Sequence, residues 1–183
     1  MEPYRLRRWK AEFQSGREAV FWTCARPGRS RGSKGAVSDH VVDMWAHGLP
    51  GGVSAAVISL LGRKKSNTGT SEFSFYSFSG GLDTPEERKG RPTFQDWLDK
   101  HHSSRHIQVI EHPTIDFQPS DLEILEAVAA TLEELTGSGR TVTIMDSGGE
   151  TRTGAVCRFM GAKEQPGALA AFWGPASRRR TTR

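Results

Sequence analysis

The residues best suited to chemistry lie in one short segment, VTIMDSGGETRTG at positions 142–154. It contains one carboxylate, Asp146, and one arginine, Arg152, six residues later. The two glycines between them allow consecutive backbone N–H groups to turn toward one point, and a helix beginning near Thr153 would add its positive end. Because a guanidinium is a planar, two-pronged donor to oxyanions, the segment predicts an anion-binding loop. Unusually, this loop opens with an acid.

Two enzyme classes that place an aspartate at the end of a strand fit this segment poorly. An aspartic protease needs two carboxylates that share one proton, and nothing else in the chain resembles a second Asp-Ser/Thr-Gly copy. Phosphotransferases of the haloacid dehalogenase type need a second acid two residues after the first, where both help to hold magnesium. That position is Gly148 here, so half of such a metal site is missing.

The segment resembles the signature of the cysteine-dependent phosphatases, the protein-tyrosine and dual-specificity superfamily. Their pattern is His-Cys, five residues, Arg, then Ser or Thr and Gly. Met145 stands where the family has histidine, and Asp146 stands where it has the nucleophilic cysteine. The matching positions are Gly149, Arg152, Thr153 and Gly154. The resemblance implies an anion loop made of Ser147, Gly148, Gly149, Glu150, Thr151, Arg152 and Thr153.

A second part of the family pattern lies upstream, in PTIDF at 113–117. The family carries its general acid, an aspartate, on a mobile loop about 30 residues before the cysteine, and Asp116 lies 30 residues before Asp146. A long helix between the two loops is also typical of the family, and residues 120–136 would provide it. The resemblance covers roughly residues 20 to 162. The alternatives are an unrelated α/β domain with a tight glycine turn, and an aspartate that only caps the following helix.

The exchange of the family's cysteine changes the expected chemistry. In the family a thiolate attacks phosphorus, and Asp146 cannot supply a thiolate. Cys157 falls in the helix after the loop and is expected to face the core, while Cys24 lacks the six-residue spacing to an arginine. Arg152 and the loop amides should bind the Asp146 carboxylate directly. Ordinary hydrolysis of phosphomonoesters is therefore not expected.

Three functional hypotheses follow from this substituted site. The favoured one is an altered enzyme in which Asp146, oriented by Arg152, and Asp116 divide acid and base roles on a small anionic or phosphorylated substrate. His112 and Glu150 are candidate assistants, but the favoured explanations are a local hydrogen bond for His112 and a solvated loop acid for Glu150. The second hypothesis is an inactive pseudophosphatase, a binding module in which an Arg152–Asp146 ion pair mimics a bound anion. The third is a phosphatase with an aspartate nucleophile.

The segments that would position these residues alternate between strand and helix patterns. Apolar and β-branched runs predict strands at 19–24, 55–61, 106–112 and 141–145. Apolar residues at helical spacing predict helices at 92–102, at 120–136 and from Gly154 onward. In the longest helix Ser120 and Glu123 fit a capping box, and Gly137 is expected to end it. This alternation predicts a single α/β domain with a central, mostly parallel sheet flanked by helices.

Length and charge limit the organisation of the chain. Its 183 residues suit one domain, predicted at 19–174 between a basic N-terminal arm at 1–18 and a basic flexible tail at 175–183. The formal net charge is +4, and much of the excess lies at the two ends. No aromatic stacking platform accompanies these basic runs, so nucleic acid is not an expected partner.

Cysteine spacing and hydropathy set the remaining expectations. The two cysteines do not have a metal-ligand spacing, and no apolar run is long enough to cross a membrane. We therefore expect a cytoplasmic protein with no metal, no other cofactor and no membrane contact. The expected ligand is a small anion or a phosphorylated molecule, and a protein partner is a further option.

Overall fold

The computed structural model describes residues 5–26, 55–61, 94–101, 103–114 and 119–166. The strands within these ranges are β1 (Arg7–Glu12), β2 (Glu18–Ala25), β3 (Ala55–Ser59), β4 (Gln108–Glu111), β5 (Thr141–Asp146) and β6 (Lys163–Glu164). The helices are α1 (Phe94–His101), α2 (Leu122–Gly137) and α3 (Thr151–Phe159), with a short 3-10 turn at Ser103–Arg105. Asp116 and the predicted tail at 175–183 lie outside the described residues.

The strands form one sheet in the order β4-β3-β5-β2-β1-β6. Its central pairs, β2 with β5, β5 with β3 and β3 with β4, are parallel, whereas β1 pairs antiparallel with both β2 and β6. All five residues of β3 and five of the six residues of β5 are buried, as expected for parallel strands covered on both faces. The predicted α/β class with a mostly parallel sheet is confirmed.

Helices pack on both faces of this sheet, because alternate residues of each strand point to opposite sides. On one face, α1 contributes Phe94 and Leu98 to a core that includes Met145 of β5. On the other face, α2 and α3 pack against the neighbouring β5 residue, Ile144. The helix residues buried on that second face are Val128, Leu132, Leu135, Val156 and Cys157. The anion loop joins β5 to α3.

The predicted elements agree with β2, β3, β4 and β5 and with all three helices, but the ends of α2 differ. The helix begins after Asp121, whose carbonyl accepts the Leu125 N–H at 3.1 Å, and this N-cap forms no side-chain cap hydrogen bond. The predicted capping box at Ser120 is therefore wrong, because the first turn closes one residue later. The helix also runs through Gly137, and the residue with positive φ is Gly139, at 80°.

The predicted N-terminal arm at 1–18 is also wrong, because β1 lies within it. Trp9 and Ala11 pack with the core on one side of this strand. On the other side, the Arg8 guanidinium lies 5.9 Å from the centroid of the Trp22 ring, and Lys10 pairs with Glu18 at 2.8 Å. The charged residues suggested a solvated segment, but they alternate with apolar ones, which is the pattern of a half-buried strand.

Among the residues that the structure describes, no helix has the length and apolar character that crossing a membrane requires.

The outer edge of β4 is covered by one side chain of α1. The Gln95 amide accepts the Val109 N–H at 2.7 Å and donates to the Ile107 carbonyl at 3.0 Å. These two main-chain groups lie where a further strand would pair with β4. Gln95 therefore substitutes for a neighbouring strand, protects the edge and holds α1 against the sheet.

We expect Gln95→Ala to lower the free energy of unfolding by about 1–2 kcal/mol, because two main-chain groups lose their partner. Urea denaturation would measure this loss. Asp99→Ala is the matched control, since Asp99 accepts an exposed hydrogen bond from the same amide at 2.9 Å, and its cost should stay below about 0.5 kcal/mol. Equal losses in the two variants would contradict a special role of the edge contact.

Candidate functional site

The candidate site lies at the carboxyl ends of the parallel strands, where ligands of open α/β sheets usually bind. β5 ends at Asp146, and its main chain is held by both neighbours. The Asp146 carbonyl accepts the Arg26 N–H at 2.8 Å, and the Met145 carbonyl accepts the Leu60 N–H at 2.9 Å. These bonds fix the start of the anion loop between the ends of β2 and β3.

The Asp146 carboxylate turns back into the loop that it opens. Its Oδ1 accepts the backbone N–H groups of Gly148, at 2.8 Å, and of Gly149. Its Oδ2 accepts the N–H groups of Arg152 and Thr153, each at 2.9 Å, and the Thr153 hydroxyl at 3.2 Å. Only 1% of Asp146 is exposed.

Five donors of the anion loop and of the first turn of α3 therefore converge on one carboxylate. They are the type of donor that binds a phosphate or a sulfate at a helix N-terminus. Asp146 occupies this position as a covalently attached anion. The sequence predicted that the loop amides bind this carboxylate, and the geometry places them on it.

The backbone and the side chain of Arg152 contact different parts of the site. Its backbone N–H bonds Asp146, whereas Nη1 of its guanidinium donates to the Leu60 carbonyl at 3.0 Å and to the Thr114 hydroxyl oxygen at 3.2 Å. The Thr114 hydroxyl in turn donates to the same carbonyl at 2.6 Å. Arg152 as a whole is 4% exposed. The hydrogen bonds between Arg152 and Asp146 thus come from the main chain, whereas the sequence predicted a guanidinium–carboxylate pair.

Glu150 lies on the outside of the loop. Its carboxylate pairs with the Arg5 guanidinium at 2.7 Å, and Nη1 of Arg5 also donates to the Gly148 carbonyl at 3.1 Å. Both charged side chains are nearly half exposed, at 43% and 49%, so solvent screens this pair strongly. The alternative interpretation of Glu150, a solvated loop acid, fits this position better than a role inside the loop.

His112 follows β4 and makes local contacts. Its backbone N–H donates to the Ser59 carbonyl at 2.9 Å, and its ring Nε2 lies 2.9 Å from the Thr131 hydroxyl on α2. Partial burial lowers the pKa of this imidazole below its usual 6.5. The local hydrogen bond predicted as the alternative for His112 is therefore present. Asp116, the predicted general acid, lies outside the described residues, and no distance relates it to Asp146.

Neither cysteine is prepared to act as a nucleophile. Burial, reinforced by the charge of Asp146, raises the pKa of Cys24 far above its ordinary value. Burial also raises the pKa of Cys157 to about 12, with a further contribution from Glu164. Both thiols are 2% exposed or less and stay protonated near neutral pH. The predicted core position of Cys157 is confirmed.

Three residues of the site escaped the sequence analysis. Arg26 is 2% exposed and lies beside the end of β5. Arg5 contacts the anion loop, and Thr114 contacts the Arg152 guanidinium. The sequence did carry a signal for Arg26, because it lies two residues after the strand predicted at 19–24, and residues that follow parallel strands lie at the edge of the sheet where ligands bind. Arg5 and Thr114 carried no such signal, since their positions depend on pairing between distant segments.

The chain is similar to a crystal structure of a mutant form of Tk-PTP, a protein tyrosine phosphatase, with a TM-score of 0.43 and 16% identity. The similarity covers 83% of this chain and 73% of that one. No protein-family model matches the chain, and neither does any curated protein sequence.

Two glycines of the site should respond in opposite ways to the same substitution. Gly149 has φ of 71°, and an added Cβ would lie 2.7 Å from the Cys24 carbonyl carbon, so Gly149→Ala should cost about 2–3 kcal/mol of stability. Gly154 lies inside α3, where a Cβ would meet only the Arg158 guanidinium at 3.4 Å. Gly154→Ala should therefore add about 0.5–1 kcal/mol. Urea denaturation of both variants checks this, and a destabilised Gly154→Ala would contradict the described geometry of α3.

The lowered pKa of His112 predicts a pH dependence of stability. Because the folded protein holds the imidazole neutral, the unfolded chain binds a proton first as the pH falls through about 6.5. The free energy of unfolding should therefore decrease below that pH, and His112→Asn should remove part of the decrease. Urea denaturation between about pH 7.5 and 5 measures it. His106→Asn, at an exposed position, is the control, and an equal change in both variants would overturn the assignment.

Proposed function

We propose that this protein is a catalytically inactive phosphatase-like binding module, a pseudophosphatase whose anion loop is occupied by its own Asp146. The observation that carries the proposal is the set of five hydrogen bonds to the Asp146 carboxylate. Those donors would otherwise face a substrate phosphate. An ordinary substrate therefore has neither the space nor the donors that this type of loop offers.

Electrostatics supports the same conclusion. A phosphate that approached the loop would meet a buried carboxylate at about 4 Å, and each pair of like charges at that distance costs roughly 4 kcal/mol at an effective dielectric near 20. Displacing Asp146 instead would remove all five hydrogen bonds from a buried carboxylate, and a buried charge without hydrogen-bond partners is strongly destabilising. Either route disfavours entry of a phosphate.

The hypothesis favoured by the sequence, acid–base chemistry by Asp146 with Asp116, is weakened by the same observation. A general base must reach the proton it removes, and both oxygens of Asp146 accept hydrogen bonds in a position that is 1% exposed. An aspartate nucleophile would need the same access to phosphorus. Arg152, whose guanidinium is bonded to Leu60 and Thr114, supports the end of β3 in this proposal.

A binding module acts through what it contacts. In this proposal the protein is cytoplasmic, and it works through a protein partner or through a small anion bound outside the loop. Nucleic acid, membranes, metals and other cofactors have no part in it.

The test is to remove the internal anion. Asp146→Ala should bind tungstate, a tetrahedral dianion, at least about tenfold more tightly than the parent. The variant should also be destabilised by about 3 kcal/mol, with part of the loss restored by tungstate. Calorimetric titration and thermal unfolding with and without tungstate measure both effects.

Glu150→Gln is the matched control, because it removes the same charge from the same loop but from an exposed carboxylate. It should leave tungstate affinity close to that of the parent. Equal tungstate binding by the parent and Asp146→Ala would sink the proposal. So would hydrolysis of an aryl phosphate by the parent that Asp146→Asn abolishes, which would place the aspartate-nucleophile hypothesis first.

A further inference from the structure

A groove runs beside the anion loop, between β1, β2 and α3. It encloses about 340 Å³, within the usual range for sites of small molecules. Its walls include Arg7, Trp9, Thr23, Gly154, Cys157 and Arg158. The groove also touches Gly149 and Thr153, but their N–H groups already bond Asp146. A ligand here would rely on side chains rather than on loop amides.

Small residues create the space between the sheet and α3. Gly154 and Ala162 line the groove together with Thr23, and none of them fills it. A Cβ added to Gly154 would lie 3.4 Å from Nη1 of Arg158. The Arg158 guanidinium therefore folds back along α3 and lies close to Gly154 in the wall of the groove.

The charges at the groove leave one cation without a partner among the described residues. Arg7 pairs with Glu164 at 3.7 Å, and Glu150 pairs with Arg5 at 2.7 Å. No acid of the described ranges lies in ion-pair contact with Arg158. One uncompensated guanidinium favours a monoanion over a dianion. Its planar pair of donors matches a carboxylate.

An aromatic wall and a neutral thiol complete the groove. The Trp9 indole N–H donates to the Thr23 hydroxyl oxygen at 2.9 Å, which fixes the orientation of the ring. An indole held in this way offers its surface to a planar ligand. Cys157 remains a protonated thiol, which behaves as a small apolar contact. Arg7 and Arg158 line the groove together with this thiol.

We propose that this groove binds a small aromatic monocarboxylate, with the ring against Trp9 and the carboxylate on Arg158. Arg7 is a second, weaker donor because Glu164 competes for it. This proposal goes beyond the pseudophosphatase function and does not depend on it, since Asp146 takes no part in the groove. The groove is then an anion site that lies outside the loop filled by the Asp146 carboxylate.

The probe is 4-fluorobenzoate, added to the full-length protein and followed by fluorine NMR. We expect saturable binding that Arg158→Gln weakens at least about tenfold. Neutral 4-fluorobenzamide should bind weaker than the benzoate by a similar factor. Lys163→Gln is the matched control, because it removes one positive charge from an exposed neighbour that does not line the groove.

Each outcome bears on the proposal. Lack of saturable binding by the parent up to about 10 mM would overturn it, and so would equal affinity in Arg158→Gln and Lys163→Gln. Binding of the benzamide as tight as that of the benzoate would remove the role of the charge. Because Arg158 does not contact Asp146, loss of binding in Arg158→Gln also distinguishes the groove from the anion loop.

Discussion

The bonds between the Asp146 carboxylate and the main chain of its own loop connect the parts of this site to one another. One side chain satisfies N–H groups of the loop and of the first turn of α3. Without an acceptor these buried groups would each carry a desolvation cost. The carbonyl of the same residue is bonded to β2 through the Arg26 N–H. One buried acid therefore holds the first turn of α3 at the end of β5, while Val156 and Cys157 pack the rest of the helix on the core.

This arrangement separates the interior of the site from its rim. In the interior, buried donors meet Asp146, and the Arg152 guanidinium meets Leu60 and Thr114. On the rim, the side chains of Arg5 and Arg7 are partly exposed, and Arg158 is exposed. In the proposed binding module, an external anion would be bound by these arginine side chains rather than by main-chain amides. Such side chains suit planar carboxylates better than they enclose a tetrahedral group.

The first strand, β1, supplies residues to this rim and to the groove. β1 joins the sheet antiparallel to β2 and brings Arg7 and Trp9 to the groove, while Arg5, just before it, reaches the loop. If residues 1–18 formed a detached basic arm, the side of α3 that faces the groove would be open. A ligand there would then lack the wall that β1 provides. The pairing of Arg8 with the Trp22 ring and of Lys10 with Glu18 shows how a charged strand is accommodated at this edge.

The sequence by itself determined the order of the elements from β2 to α3, the place of the anion loop and the identity of the acid within it. Those features are local: β-branched runs, helical spacing and a pair of glycines act over a few residues. Tertiary structure decided that Glu150 faces outward, that β1 pairs with β2 and β6, and that the Arg152 guanidinium reaches Leu60 across 92 positions of sequence. It also decided that Asp146 is buried, at 1% exposure. Each of these features depends on which distant segments of the chain become neighbours. The local periodicity of the sequence does not show which segments pair.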